Sequence, residues 1–153
     1  MFTRYGIFNK AELRCRADIS LENYSKIVHI EALTLGEMVK RDVMPAISKS
    51  VKDCCKTLEI KTRILGGDNL KAEKAIIKTL SDCYENLFDL VTKLDLEVEK
   101  AQAEADILKQ SGLYNKSVLM LMEEIRAEAD KAETLVPREN WPYPTYGDLL
   151  FNV

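Results

Sequence analysis

The feature that most constrains this chain is a run of apolar residues, Ile77, Leu80, Tyr84, Leu87, Val91, Leu94, Val98, Ala101, Ala105 and Leu108, spaced by steps of three and four without a slip. That spacing keeps side chains on one stripe of an α-helix, so the run predicts a helix from about Leu70 to Leu108 that packs along other helices. Such a helix is roughly 58 Å long at 1.5 Å per residue, too long for a compact globule to cover. It requires long helical partners. Its opposite face carries Lys78, Asp82, Asp89, Lys93 and Glu97, a solvated ion-pair ladder.

The flanking segments supply those partners. Asn9 followed by Glu12 has the form of a capping box, and Leu13, Ala17, Leu21, Tyr24, Val28, Ala32, Leu35 and Val39 carry the stripe of a long first helix. Gly36 weakens that helix, and Pro45 removes a backbone donor and crowds the preceding turn. The helix is therefore expected to bend or stop near Met44, as a kink or as a hairpin. Ile47, Val51, Cys54, Leu58 and Leu65 resume the stripe until Gly66-Gly67, which reads as a left-handed stop, with Asp68 or Asn69 capping the next helix. Lys109-Gln110-Ser111-Gly112 is expected to interrupt the pattern. Val118, Leu121, Ile125, Ala129, Ala132 and Val136 then form a last helix ended by Pro137.

The expected class is all-α, an elongated antiparallel bundle of three to four long helices over residues 1–136 (about 9–44, 46–65, 69–109 and 113–136). An extended aromatic- and Pro-rich tail, 137–153, follows it.

Composition excludes several functions. The net charge of -3 comes from 22 basic and 25 acidic residues mixed along the chain, so no one-signed field exists to attract nucleic acid. No apolar run approaches the ~18 residues of a membrane span, and the first twenty residues lack a signal-peptide core. A cytoplasmic protein is expected. Cys15, Cys54, Cys55 and Cys83 form no CxxC pair and are expected as reduced core thiols. Two glycosylation sequons, at Asn23 and Asn115, fall inside helical pattern and read as chance.

Catalytic chemistry is hard to seat on these residues. His29 is the single histidine; Lys26 stands where a di-iron Glu-x-x-His pair needs glutamate, and no Pro-Cys-x-x-Cys follows as zinc deaminase chemistry requires. His29 is expected to line a helix face. Glu123, Glu124, Glu128, Asp130 and Glu133 spread around a helix as solvated charge.

The tail stands apart. Trp141-Pro142 and Tyr143-Pro144 are stiff before they bind anything, Tyr146-Gly147-Asp148 permits a turn, and Leu149, Leu150 and Phe151 form an apolar cluster. Burying such side chains yields about 1.5 to 3 kcal/mol each, enough to offset the ordering of a short strap. Trp141, Tyr143, Tyr146, Leu149, Leu150 and Phe151 are therefore the candidate docking residues. They either pack on their own bundle or clamp a neighbouring domain or subunit.

With Ile30-Glu31-Ala32-Leu33, Met38-Val39-Lys40-Arg41-Asp42-Val43-Met44-Pro45-Ala46, Leu135-Val136-Pro137 and the Trp141 to Phe151 segment, the chain resembles the C-terminal region of type III glutamine synthetases from about Tyr5 to its end. The resemblance implies a parent ligase that makes glutamine from glutamate, ammonia and ATP with a divalent metal such as magnesium, through a γ-glutamyl phosphate, in a large double-ring homo-oligomer. It also implies that the catalytic barrel precedes this region. No catalytic, cofactor-binding or metal residue carries over, so the fragment is expected to hold no cofactor and to be inactive alone, Met1 opening an excised or truncated piece.

The implied partners are the chain's own catalytic domain and neighbouring subunits, with the helices extending the core and the tail strapping them to it. The other reading is a free-standing helical adaptor that dimerises through exposed heptads and docks by its tail.

Overall fold

The first 56 helical positions form one rod, and its start follows the sequence directly. In the computed structural model, which describes residues 8–66, 70–144 and 146–151 apart from the side chains of Leu65 and Tyr146, the Asn9 carbonyl oxygen Oδ1 accepts from the Glu12 backbone N–H at 2.8 Å. Glu12 Oε2 accepts in return from the Asn9 N–H at 2.7 Å. This reciprocal box starts α1 (Lys10–Met38). Helix α1 passes without a break through a five-residue π turn (Val39–Val43) into α2 (Met44–Leu65). Pro45 thus neither stops the helix nor folds it into a hairpin.

The wider turn immediately ahead of the proline explains the passage. Its last hydrogen bond runs from the Met44 N–H to the Val39 carbonyl, and the extra residue takes up the misfit between a ring without an N–H and the turn before it. The rod from Lys10 to Leu65 is about 84 Å long at 1.5 Å per residue. It ends at Gly66, whose φ of 74° lies in the region glycine tolerates and whose N–H bonds the Thr62 carbonyl at 3.1 Å. The expected caps Asp68 and Asn69 lie outside the described residues, and Leu70, buried at the N-cap, makes no side-chain cap bond.

Helix α3 (Lys71–Ala103) runs back antiparallel to α2 and buries Leu80, Cys83, Leu87, Val91, Leu94, Val98 and Ala101. The seam expected to reach Leu108 stops earlier: Glu104 is extended (φ −75°, ψ 123°), Ala105 is exposed and Leu108 is 70% exposed. Two side chains set this corner. Asp106 accepts from the Lys109 N–H at 2.9 Å and caps α4 (Ile107–Leu113), while Gln110 Nε2 donates to the Ala101 and Glu104 carbonyls at 3.2 and 3.3 Å. The orphan carbonyls of one helix end are thus met by the next helix. The interruption expected at Lys109 to Gly112 is therefore helical, and the break sits at 104–106.

A second π turn (Tyr114–Val118) leads into α5 (Leu119–Glu133), which returns along α3 and buries Leu121, Ile125 and Ala132. Val118 and Val136 at its flanks are also buried. One continuous core joins the rod, α3 and α5, with no strand among the described residues. The fold is all-α, a bundle of long helices. The thiols divide: Cys83 is buried and Cys54 half-buried, whereas Cys15 and Cys55 are exposed, so only Cys83 fits the expected core role.

Leu87→Ala and Ile125→Ala, each at fully buried positions, are expected to cost about 2–5 kcal/mol in urea unfolding. Leu108→Ala should change stability by less than about 0.5 kcal/mol; an equal cost at all three sites would contradict the early end of the seam. Asp106→Ala should cost about 1 kcal/mol through loss of the cap, read as a lower denaturation midpoint at unchanged slope.

Candidate functional site

After α5 the chain turns at Pro137, where the Asn140 and Trp141 N–H groups bond the Pro137 carbonyl at 2.8 and 3.1 Å. This turn sends the tail back over the bundle. Trp141 and Tyr143 pack half-buried against the core cluster. Asn140 Nδ2 reaches Ser50 Oγ at 3.4 Å, and the Tyr143 hydroxyl donates to Asp42 Oδ2 at 2.6 Å. Asp42 belongs to the π turn that carries the rod past Pro45, so the tail is fastened to that turn.

The expectation of a wholly extended tail is corrected at its end, where residues Tyr146–Phe151 form a short helix, α6. Gly147 does not prevent it, and the Asp148 carboxylate in its first turn pairs with the Arg138 guanidinium across the tail. An anion near a helix N-terminus is favourably placed. Leu149, Leu150 and Phe151 are 68% to 82% exposed. The side chain of Tyr146 lies outside the described residues.

Between the tail, the π turn and α5 lies an open groove of about 560 Å³ with Met38, Val39, Val43, Leu119, Met122 and Leu149 on its walls. Glu123, Arg126, Asp130 and Glu133 also line it. The tail residues named from sequence therefore part company: Trp141 and Tyr143 pack on the bundle, Leu149 lines the open groove while staying 68% exposed, and Leu150 and Phe151 are the most exposed. Sequence reasoning missed Asp42, Ser50 and Asn140. An isolated Asp or Ser on a helix carries no signal of a partner about ninety to a hundred positions away.

The other candidates resolve into packing. His29 Nδ1 lies 3.0 Å from the Tyr114 hydroxyl, with the rings edge-to-face, and Asn115 Nδ2 donates to the Tyr24 hydroxyl at 3.0 Å. These bonds tie the second π turn to α1. Burial pushes the Tyr114 phenol up. Burial likewise raises the Cys83 thiol, with the nearby Glu128 carboxylate adding to it; Glu128 itself is lowered, chiefly by its bond from Lys131. Among the described residues no three His, Cys, Asp or Glu side chains converge as a metal site. No helix among them is long and apolar enough to cross a membrane.

Fold and surface together define an all-α bundle domain that displays a strapped, apolar-tipped tail. Known proteins show what the chain is similar to. Residues 1–62 match the family described as Glutamine synthetase C-terminal domain. Over the whole chain, 38% of residues are identical to a glutamine synthetase of Butyrivibrio fibrisolvens, covering 22% of that protein. A glutamine synthetase of Bacteroides fragilis is 29% identical over 95% of the chain and 20% of its own length, and the type-3 glutamine synthetase of Dictyostelium discoideum 26% identical over 99% and 21%. The chain spans about a fifth of the length of these relatives. No solved structure matches it significantly. The chain is thus similar to the C-terminal region of glutamine synthetases, type 3 included.

Burial, the hydrogen bond to Asp42 and the Asp42 charge hold the Tyr143 phenol up at about 12, in that order of weight. A phenol whose folded pKa is raised adds stability below its unfolded value of about 10 and loses it as pH rises toward 12. Tyr143→Phe should therefore cost about 0.5–1.5 kcal/mol at pH 7, with the gap to the parent narrowing between pH 10 and 12. A gap independent of pH there would contradict the Tyr143–Asp42 bond.

Proposed function

We propose that this chain is the C-terminal accessory region of an ATP-dependent glutamate–ammonia ligase, supporting assembly and positioning of a catalytic core rather than carrying out the chemistry itself. The observation that carries this reading is the 38% identity over the entire chain to a glutamine synthetase of which it covers only 22%. ATP and a divalent metal belong to the parent reaction. Phosphoryl transfer needs clustered metal ligands and donors around phosphate, and the donor set of the bundle offers no such cluster among the described residues.

The tail is the element through which the region acts. Its first half is held to the bundle by Trp141, Tyr143 and Asn140, which fixes where its tip is presented. Leu149, Leu150 and Phe151 are then available to a neighbouring domain or subunit of a homo-oligomer, the residues 137–153 acting as a docking unit distinct from the bundle. Rigid presentation lowers the ordering cost on binding.

Replacing Leu150 and Phe151 together by Ser in the complete enzyme is expected to weaken assembly at least tenfold in subunit dissociation constant, measured by mass photometry across a dilution series. In the 153-residue chain the same pair should shift stability by less than about 0.5 kcal/mol, because both side chains are exposed. Deleting Trp141 to Val153 should weaken assembly further; unchanged oligomer mass and melting temperature in that deletion would reject the strap.

A further inference from the structure

Helix α1 is apolar on two sides. One side, with Val28 and Ala32, enters the core. The other carries Ile19, Ile27, Ile30 and Leu33, each 51% to 63% exposed. At about 100° per residue, Ile19 and Ile30 lie about 180° and 200° from Val28, Leu33 about 140°, and Ile27 flanks them. Several large exposed aliphatics on one helix face are what an interface leaves behind when its partner is absent.

Charges on this face cancel within the helix. Lys26 pairs with Glu22 at 3.6 Å, and Arg41 with Glu37 at 2.5 Å, both at i,i+4 spacing. The aliphatic residues share this face with Asn23, with Arg16, which stacks over the Phe8 ring, and with Thr34, whose hydroxyl donates to the Ile30 carbonyl.

The same helix extends beyond its own bundle. Residues 10–20 contain no buried side chain, and the contact with the core begins near Tyr24, which is half-buried and accepts from Asn115. The projecting turns and the outer stripe therefore call for cover on the same helix.

We propose that the outer stripe of α1, Ile19, Ile27, Ile30 and Leu33, is covered in cis by an aliphatic patch on the domain that precedes this region in the same polypeptide. This rests on the accessory-region reading above. The matched relatives extend well beyond this chain, and the family description places the matched part C-terminal, so the remainder of such a polypeptide enters through the N-terminal end of α1. A surface next to that entry meets its partner at high effective concentration. Size points the same way. Four aliphatic residues fall well short of the roughly 20–30 residues and 800 Å² per partner of a stable free-standing interface, so a second copy of this chain would hold weakly here, whereas a tethered domain needs little area.

The test is thiol labelling of Ile30→Cys, with Leu33→Cys in parallel in case one variant folds poorly. Peptide mass mapping counts each site separately from the native cysteines. In the complete polypeptide the introduced thiols should react with a maleimide at least 50-fold more slowly than in the 153-residue chain, and should do so even when the enzyme is diluted to single subunits. Equal rates in the two would overturn the proposal. Protection lost on dissociation would overturn it by assigning the cover to a neighbouring subunit, and protection growing with concentration of the 153-residue chain would overturn it by assigning it to a second copy. Glutamine formation by the unmodified complete polypeptide is assayed separately: its absence would remove the ligase reading while leaving the labelling result to decide the cis cover.

Discussion

Everything in this molecule is arranged around the need to cover one apolar seam. Helix α3 presents Leu80, Leu87, Val91, Leu94, Val98 and Ala101 in register over much of its 33 residues, and at 1.5 Å per residue the line from Leu80 to Ala101 is about 32 Å long. No loop or short helix covers such a line. The rod of α1 and α2 lies along it from one side and α5 from another, and both are kept in register by a local adjustment. Each takes a five-residue π turn, at Val39–Val43 and Tyr114–Val118. An added residue in a turn shifts the buried face around the helix, which lets a stripe interrupted in sequence stay continuous in space.

What was legible in the sequence was what the sequence settles locally. The Asn9–Glu12 box, the glycine stop at Gly66 and the stripe from Leu80 to Ala101 depend on neighbours within a turn or two, and all are present. The features that escaped are decided at longer range. Glu104 and Ala105 have ordinary helix propensity, and the corner there exists because the Gln110 amide reaches back nine residues to the Ala101 carbonyl. Passage through Pro45 depends on a π turn that no residue type announces. In the tail, the aromatic pairs marked which residues contact the bundle, but not that α6 would form, since its acid Asp148 is paired with an arginine ten positions away.

Burial also separates residues that look alike in sequence. Tyr24, Tyr114 and Tyr143 are all aromatic residues with a hydroxyl near a polar partner, yet Tyr114 is buried against α1 while Tyr143 reaches a carboxylate at the bundle edge. The first locks a helix to its neighbour and the second anchors a chain end. Similar composition thus serves two ends, and only the packing tells them apart.

The seating of the tail on the π turn has a mechanical side. A long helix resists bending along its regular turns and yields where its hydrogen bonding is irregular, and here that place is Val39–Val43, next to a proline that contributes no donor. Tyr143 grips Asp42 inside that stretch. The tail is thus seated, through Tyr143 together with Trp141 and Asn140, beside the irregular stretch of a strut about 84 Å long, so the chain end and that stretch share one set of contacts.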